Sequence, residues 1–237
     1  MGITMSLPGV VLVLITIALG DNMRYLITGL LSMQIAFATF AQQTAKDSLQ
    51  TTVDTIPTPW SFEAAVYHYI LPGEKNTTTL LGYADHKALH LETRYNYEDL
   101  KTASVFGGYR FEAGRKLLLS ITPMIGFAFG NTNGIAPGLE ASLTWKKFDC
   151  YSESEYVFDF DGKENNFFYT WTELAVTLFR NFRTGISGNR TRLFQSDLDI
   201  QKGIFAEYSF WKLTAGVHYF NPFSDEEFVI ATLGIEF

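Results

Sequence analysis

Polar and apolar residues alternate with a period of two over most of this chain. The segment Leu89–Glu98 sets the pattern. Leu89, Leu91, Thr93, Tyr95 and Tyr97 share one parity, and His90, Glu92, Arg94, Asn96 and Glu98 share the other. Successive side chains of a strand point to opposite sides, so this segment has one apolar and one ionisable face. The same alternation returns, separated by short polar breaks, at 60–71, 77–84, 102–112, 117–129, 137–146, 149–160, 167–177, 182–194, 197–209, 212–220 and 228–237. No long 3.6-residue apolar period appears beyond Trp60. The pattern predicts about twelve strands, with ten as the alternative count, at roughly 15 residues per strand and turn. That spacing exceeds the roughly 8–12 residues of a soluble sandwich and suits tilted spanning strands.

The breaks fall into two kinds. Those near 85–87, 113–116, 146–148, 179–181 and 209–211 are tight. Those at 72–76, 130–136, 161–166 and 221–227 are longer and richer in Gly, Pro, Asn and acid. Alternating short turns and longer loops are expected of an up-and-down membrane barrel. The final strand carries Val229, Ala231, Leu233, Ile235 and terminal Phe237 on one parity. Leu233, Ile235 and Phe237 resemble the assembly signal of outer-membrane barrels, which implies the barrel-assembly machinery as a partner. A secreted β-sandwich or lipocalin-like barrel is the soluble alternative.

The first forty residues differ. Residues 1–22 read as an upstream extension. Residues 23–41 open with Met23 and Arg24, continue through an apolar run and end in small residues including Thr39 and Ala41. This is the pattern of a signal peptide. The alternative, one or two transmembrane helices, asks for about 20 apolar residues, and each run is shorter. Residues 42–59 are polar and read as a flexible lead-in, leaving 60–237 as the barrel.

Composition narrows the function classes. Phe 21 and Tyr 12 give an aromatic fraction of 16%, and the net charge is −7. An acidic chain has no electrostatic footprint for nucleic acid. A single cysteine, Cys150, excludes an internal disulfide framework. No Gly-rich phosphate loop preceding a helix, HExxH or calcium-loop pattern is present, so no cofactor or metal is assigned.

The stretches LHLETRYNYEDL, TPMIGFAFGNTNGIAPGLE, YSESEYVF and FFYTWTEL resemble a poorly characterised family of bacterial outer-membrane β-barrel proteins. The resemblance spans about Trp60 to Phe237. It implies a barrel fold, an outer-membrane location in a Gram-negative bacterium and outer-membrane lipid as a partner. It carries no catalytic residues.

In such a barrel the apolar parity faces lipid, where a charge at the midplane costs about 2–4 kcal/mol. The opposite parity then lines the lumen. It comprises His90, Glu92, Arg94, Asn96, Glu98, Arg110, Glu112, Glu140, Glu153, Glu155, Glu173, Arg190, Arg192, Asp199 and Glu207, with Asp197 and Gln201 alongside. Arg94, Arg110, Arg190 and Arg192 are expected to bridge carboxylates on neighbouring strands. Trp145 and Trp211 are placed in interfacial girdles and Trp171 in the lumen.

Three functions fit this set. The first is a pore or binding barrel for a small hydrophilic solute, favouring cations or neutral polar molecules. The second is a structural barrel with a closed, salt-bridged lumen and no transport. The third is an outer-membrane lipid hydrolase, for which His90 and Ser104 are the candidate pair.

Overall fold

A computed structural model describes residues 59–191 and 200–237. The strands are β1 (Ser61–Ile70), β2 (Thr77–His86), β3 (Leu89–Tyr95), β4 (Thr102–Tyr109), β5 (Phe111–Ala113), β6 (Leu117–Gly130), β7 (Gly134–Trp145), β8 (Phe148–Asp159), β9 (Phe167–Phe179), β10 (Phe182–Arg190), β11 (Gln201–Phe210), β12 (Leu213–Phe220) and β13 (Phe228–Glu236). A 3₁₀ turn, Lys163–Asn165, lies in the β8–β9 loop.

All neighbours pair antiparallel in chain order. The first and last strands pair with each other, from Glu63 opposite Glu236 to Ile70 opposite Val229. Phe62 and Phe237 exchange both backbone hydrogen bonds, at 3.1 and 3.0 Å, and complete that seam. Both β4 and β5 pair with β6, so they are one strand interrupted at Arg110. The break falls opposite Pro123, whose ring nitrogen has no hydrogen to donate to the ladder. The result is a closed twelve-stranded antiparallel β-barrel. Closure leaves no free edge, so every strand satisfies its backbone polar groups in its neighbours.

One end of the barrel carries the tight turns. Lys87, Lys146 and Trp211 each open a two-residue turn in the left-handed region, with φ of 55°, 57° and 55°. A positive φ at that position matches the twist of the flanking strands. Gly114, at φ 102°, makes the β5–β6 turn; a Cβ there would sit 1.8 Å from the Leu117 carbonyl oxygen. The other end carries the longer connections.

The outward face is an apolar band with aromatic rims. Val66, Leu80, Val105, Ile125, Leu139, Leu174, Ile186, Ile204 and Leu233 are exposed along its middle. Trp145, Phe148, Phe179, Phe210 and Trp211 ring the turn end, and Tyr156, Phe158, Phe160 and Phe168 the loop end. Trp145 and Trp211 are exposed beside the tight turns. Residues 1–58, with the proposed extension, signal peptide and most of the lead-in, lie outside the described residues, as do Arg192, Asp197 and Asp199.

Candidate functional site in the barrel lumen

The inward face is a polar and aromatic interior with Arg94 at its centre. On β3, His90, Glu92 and Arg94 alternate inward and are buried, while Leu89, Leu91 and Tyr95 are exposed outward. The Arg94 side chain is wholly enclosed and meets four carboxylates. Its Nε donates to Glu92 Oε2 at 2.6 Å and its Nη2 also pairs with that carboxylate. Nη2 lies 2.7 Å from Glu153 Oε1, and Nη1 lies 3.3 Å from both Glu98 and Glu155. Glu153 and Glu155 sit on β8, four strands around the wall from β3, so Arg94 reaches across the interior rather than to a neighbour.

Two aromatic rings hold the guanidinium. Its central carbon is 4.7 Å from the Tyr97 ring and 4.2 Å from the Phe106 ring. Such stacking is favourable for a desolvated Arg. Phe106 in turn lies flat on Gly126, where a Cβ would come within 2.4 Å of the ring. Tyr97 donates to Glu153 Oε2 at 2.9 Å, and Ser104 donates to Glu98 Oε1 at 2.6 Å.

Aromatic contacts close the same level. Tyr67 of β1 meets Trp171 of β9, five strands away, at a ring separation of 6.0 Å. Tyr97 packs on Tyr169 at 4.9 Å, Trp171 on Phe220 at 5.7 Å, and Phe220 on Phe228 at 5.0 Å. Tyr169, Trp171, Phe220 and Ile230 are all buried. The middle and the loop half of the lumen are therefore filled by side chains.

The turn half is more open. His90 Nδ1 lies 2.7 Å from Asp85 Oδ1, and Nε2 lies 2.7 Å from Glu92 Oε1 and 3.5 Å from Glu140 Oε2. Arg110 Nη2 lies 2.9 Å from Asp85. Beside this group is a cavity of about 260 Å³ lined by Arg110, Glu112, Ser120, Thr122, Glu140 and Tyr151. A second arginine, Arg183 on β10, pairs with Asp149 at 2.6 Å, Glu173 at 2.7 Å and Glu207 at 2.8 Å. Trp171 Nε1 donates to Glu173 Oε1 at 2.9 Å.

The structure brings His90, Glu92, Arg94, Glu98, Glu153 and Glu155 into one network with Glu140, and sets Glu173 and Glu207 around Arg183. Glu112 is exposed at the rim of the cavity, without an ion pair among the described residues. Asn96 is not a lumen residue. Its φ of 55° ends β3, and its side chain holds the β3–β4 loop, donating to the Thr78 carbonyl at 3.0 Å and accepting from Lys101 N at 2.6 Å. That turn resets the alternation, so Tyr97, expected to face outward with Tyr95, points inward beside Glu98. Arg190 is also corrected. On β10 the inward residues are Arg183, Ser187 and Asn189, and Arg190 lies on the outward face with its guanidinium 5.9 Å from the Phe168 ring. A one-residue slip in reading a strand exchanges its two faces. The polar run Asn189–Arg192 gives no parity of its own. Ile186, outward and exposed, was the signal that would have placed Arg183 inside.

Asp85, expected in the turn near 85–87, lies instead on β2, opposite His90. The proposed Ser104–His90 pair is not assembled. Ser104 stands opposite Arg94 and His90 opposite Gly108, four residues apart along the ladder. At about 3.4 Å per residue this places them beyond hydrogen-bond reach.

No protein-family model matches this chain, and no curated protein does. Among solved structures, the KdgM porin aligns at TM-score 0.51 with 14% identity, covering 74% of this chain and 98% of KdgM. The KdgM porin in complex with disordered oligogalacturonate aligns at TM-score 0.52, with the same identity and coverage. The Acinetobacter baumannii outer membrane protein Omp33 aligns at TM-score 0.46 with 13% identity, covering 77% of this chain and all of that one. Closed, antiparallel and twelve-stranded, the chain has the fold of the KdgM porin.

Proposed function

We propose that this chain is an integral outer-membrane β-barrel of a Gram-negative bacterium that passes small hydrophilic solutes through its lumen when the side chains that close it at mid-height move aside. The observation that carries this reading is the inward face. It carries charged groups from Arg183, Asp149 and Glu207 at the turn end to Glu98 at the loop end, beside a buried aromatic and aliphatic layer, inside a wall whose outer band is apolar. A polar lumen within an apolar wall is what a conduit across hydrocarbon requires. Carboxylates outnumber arginines along that path, which favours cationic or neutral solutes by charge alone. A polyuronate such as the one in the KdgM complex would meet like charge here. Outer-membrane lipid covers the apolar band, and the barrel-assembly machinery reads the last strand through Leu233, Ile235 and Phe237.

A second reading is favoured by the Arg94 cross-link from β3 to β8. It is a braced barrel that conducts nothing, its lumen a polar core. Liposome swelling separates the two. Vesicles carrying the barrel with Trp171→Ala should swell in small neutral sugars, and should prefer Na⁺ to Cl⁻ in a reversal-potential measurement. Vesicles that neither swell nor pass ions with this variant would leave only the braced barrel.

A further inference from the structure

We propose that His218, Glu207 and Glu173 form a lumen site for one divalent transition-metal ion of the zinc class. The three residues come from adjacent and near-adjacent strands, β12, β11 and β9. One donor atom from each lies within 4.8 Å of the other two. His218 is 1% exposed, and its Nδ1 has no hydrogen-bond partner among the described residues. Its Nε2 faces Glu207 Oε1 at 3.9 Å, too far for a hydrogen bond. The buried side chain thus makes no hydrogen bond among the described residues, and the nitrogen it turns toward Glu207 is Nε2, the atom that an ion in that gap would satisfy. Two donors bound at about 2.1 Å to a tetrahedral zinc ion lie about 3.4 Å apart, so a closure of about 0.5 Å from the 3.9 Å gap would seat an ion between them.

The surroundings fit a bound dication in four ways. Glu207 uses Oε2 for Arg183, which leaves Oε1 turned toward His218. Glu173 is held by Trp171 Nε1 and Arg183, the outer hydrogen bonds that orient a ligating carboxylate. Three carboxylates, Asp149, Glu173 and Glu207, surround the single guanidinium of Arg183. That group carries a net charge of −2, which a divalent ion neutralises. The imidazole ring is fixed by stacking on Phe205 at 5.0 Å and by an edge contact with Trp171 at 5.3 Å.

His90, Glu92 and Glu140 also place three donors within 4.8 Å of one another. There, both imidazole nitrogens already lie 2.7 Å from a carboxylate, so nothing is left to satisfy. The two clusters therefore make opposite predictions.

Calorimetric titration of the folded, chelator-stripped barrel in detergent micelles with Zn²⁺ alone tests the site, whether or not the lumen conducts. The wild type should show one saturable site and a Zn²⁺-dependent change in tryptophan fluorescence through Trp171. His218→Phe keeps the ring stack and should abolish both signals. Glu207→Gln, which preserves shape, should weaken binding, and His90→Gln should leave it intact. No saturable binding in the wild type would overturn the proposal. So would unchanged binding in both His218→Phe and Glu207→Gln, or loss of binding in His90→Gln alone.

Discussion

The lumen has two arginine hubs, and they differ in what surrounds them. Arg94 is wholly enclosed, stacked between Tyr97 and Phe106 and shared among four carboxylates from β3, β8 and the β3–β4 loop. Arg183 keeps a quarter of its side chain exposed, rests on one ring, Phe205, and pairs with three carboxylates of β8, β9 and β11. Similar residue types thus build a sealed layer in one place and a more open, charged layer in the other. What separates them is the aromatic lining. Tyr97 and Phe106 sandwich the Arg94 guanidinium and Tyr169 packs on Tyr97, occupying the space that water would need around it.

The largest expected effect is at the sealed hub. Arg94→Ala leaves four enclosed carboxylates without their cation. Removing one partner of a buried pair costs about 3–5 kcal/mol, to be read as a lowered urea midpoint by tryptophan fluorescence. Arg183→Ala should cost less, about 1–3 kcal/mol by the same measurement, because water can replace its hydrogen bonds. Equal losses at the two arginines would erase the distinction between the halves. Tyr97→Phe removes one hydroxyl from Glu153 and should cost about 1 kcal/mol. Arg190→Ala, on the outward face at the loop end, should change stability by no more than about 0.5 kcal/mol. A loss there comparable to that of Arg94 would place Arg190 back in the lumen network.

Much of this was legible in the sequence, for physical reasons. Twelve strands were predicted and twelve close the barrel, because a strand with lipid on one side and a polar lumen on the other must alternate. The parity of β3 and β8 followed directly, since Leu89, Leu91, Tyr156 and Phe158 fix their outward faces. Alternation failed where its premises failed. Asn96 turns the chain with a left-handed residue, so Tyr97 cannot be placed by counting from Tyr95. On β10, small and polar residues occupy both faces, and only Ile186 and Phe182 mark the outside. Arg183 was missed there and Arg190 misplaced. The meeting of Arg94 with β8, and of Tyr67 with Trp171, depends on closure across the barrel, which no local pattern encodes. The same holds for the grouping of His218 with Glu173 and Glu207.

The central claim is that the lumen is a polar path shut by side chains at the level of Tyr67 and Trp171. Single-channel recording in planar bilayers tests it most directly, comparing the wild type with the Tyr67→Ala/Trp171→Ala double variant. The account predicts small, brief openings for the wild type and steady, larger, cation-selective steps for the variant. A variant as silent as the wild type, or a wild type that already conducts as fully as the variant, would contradict it.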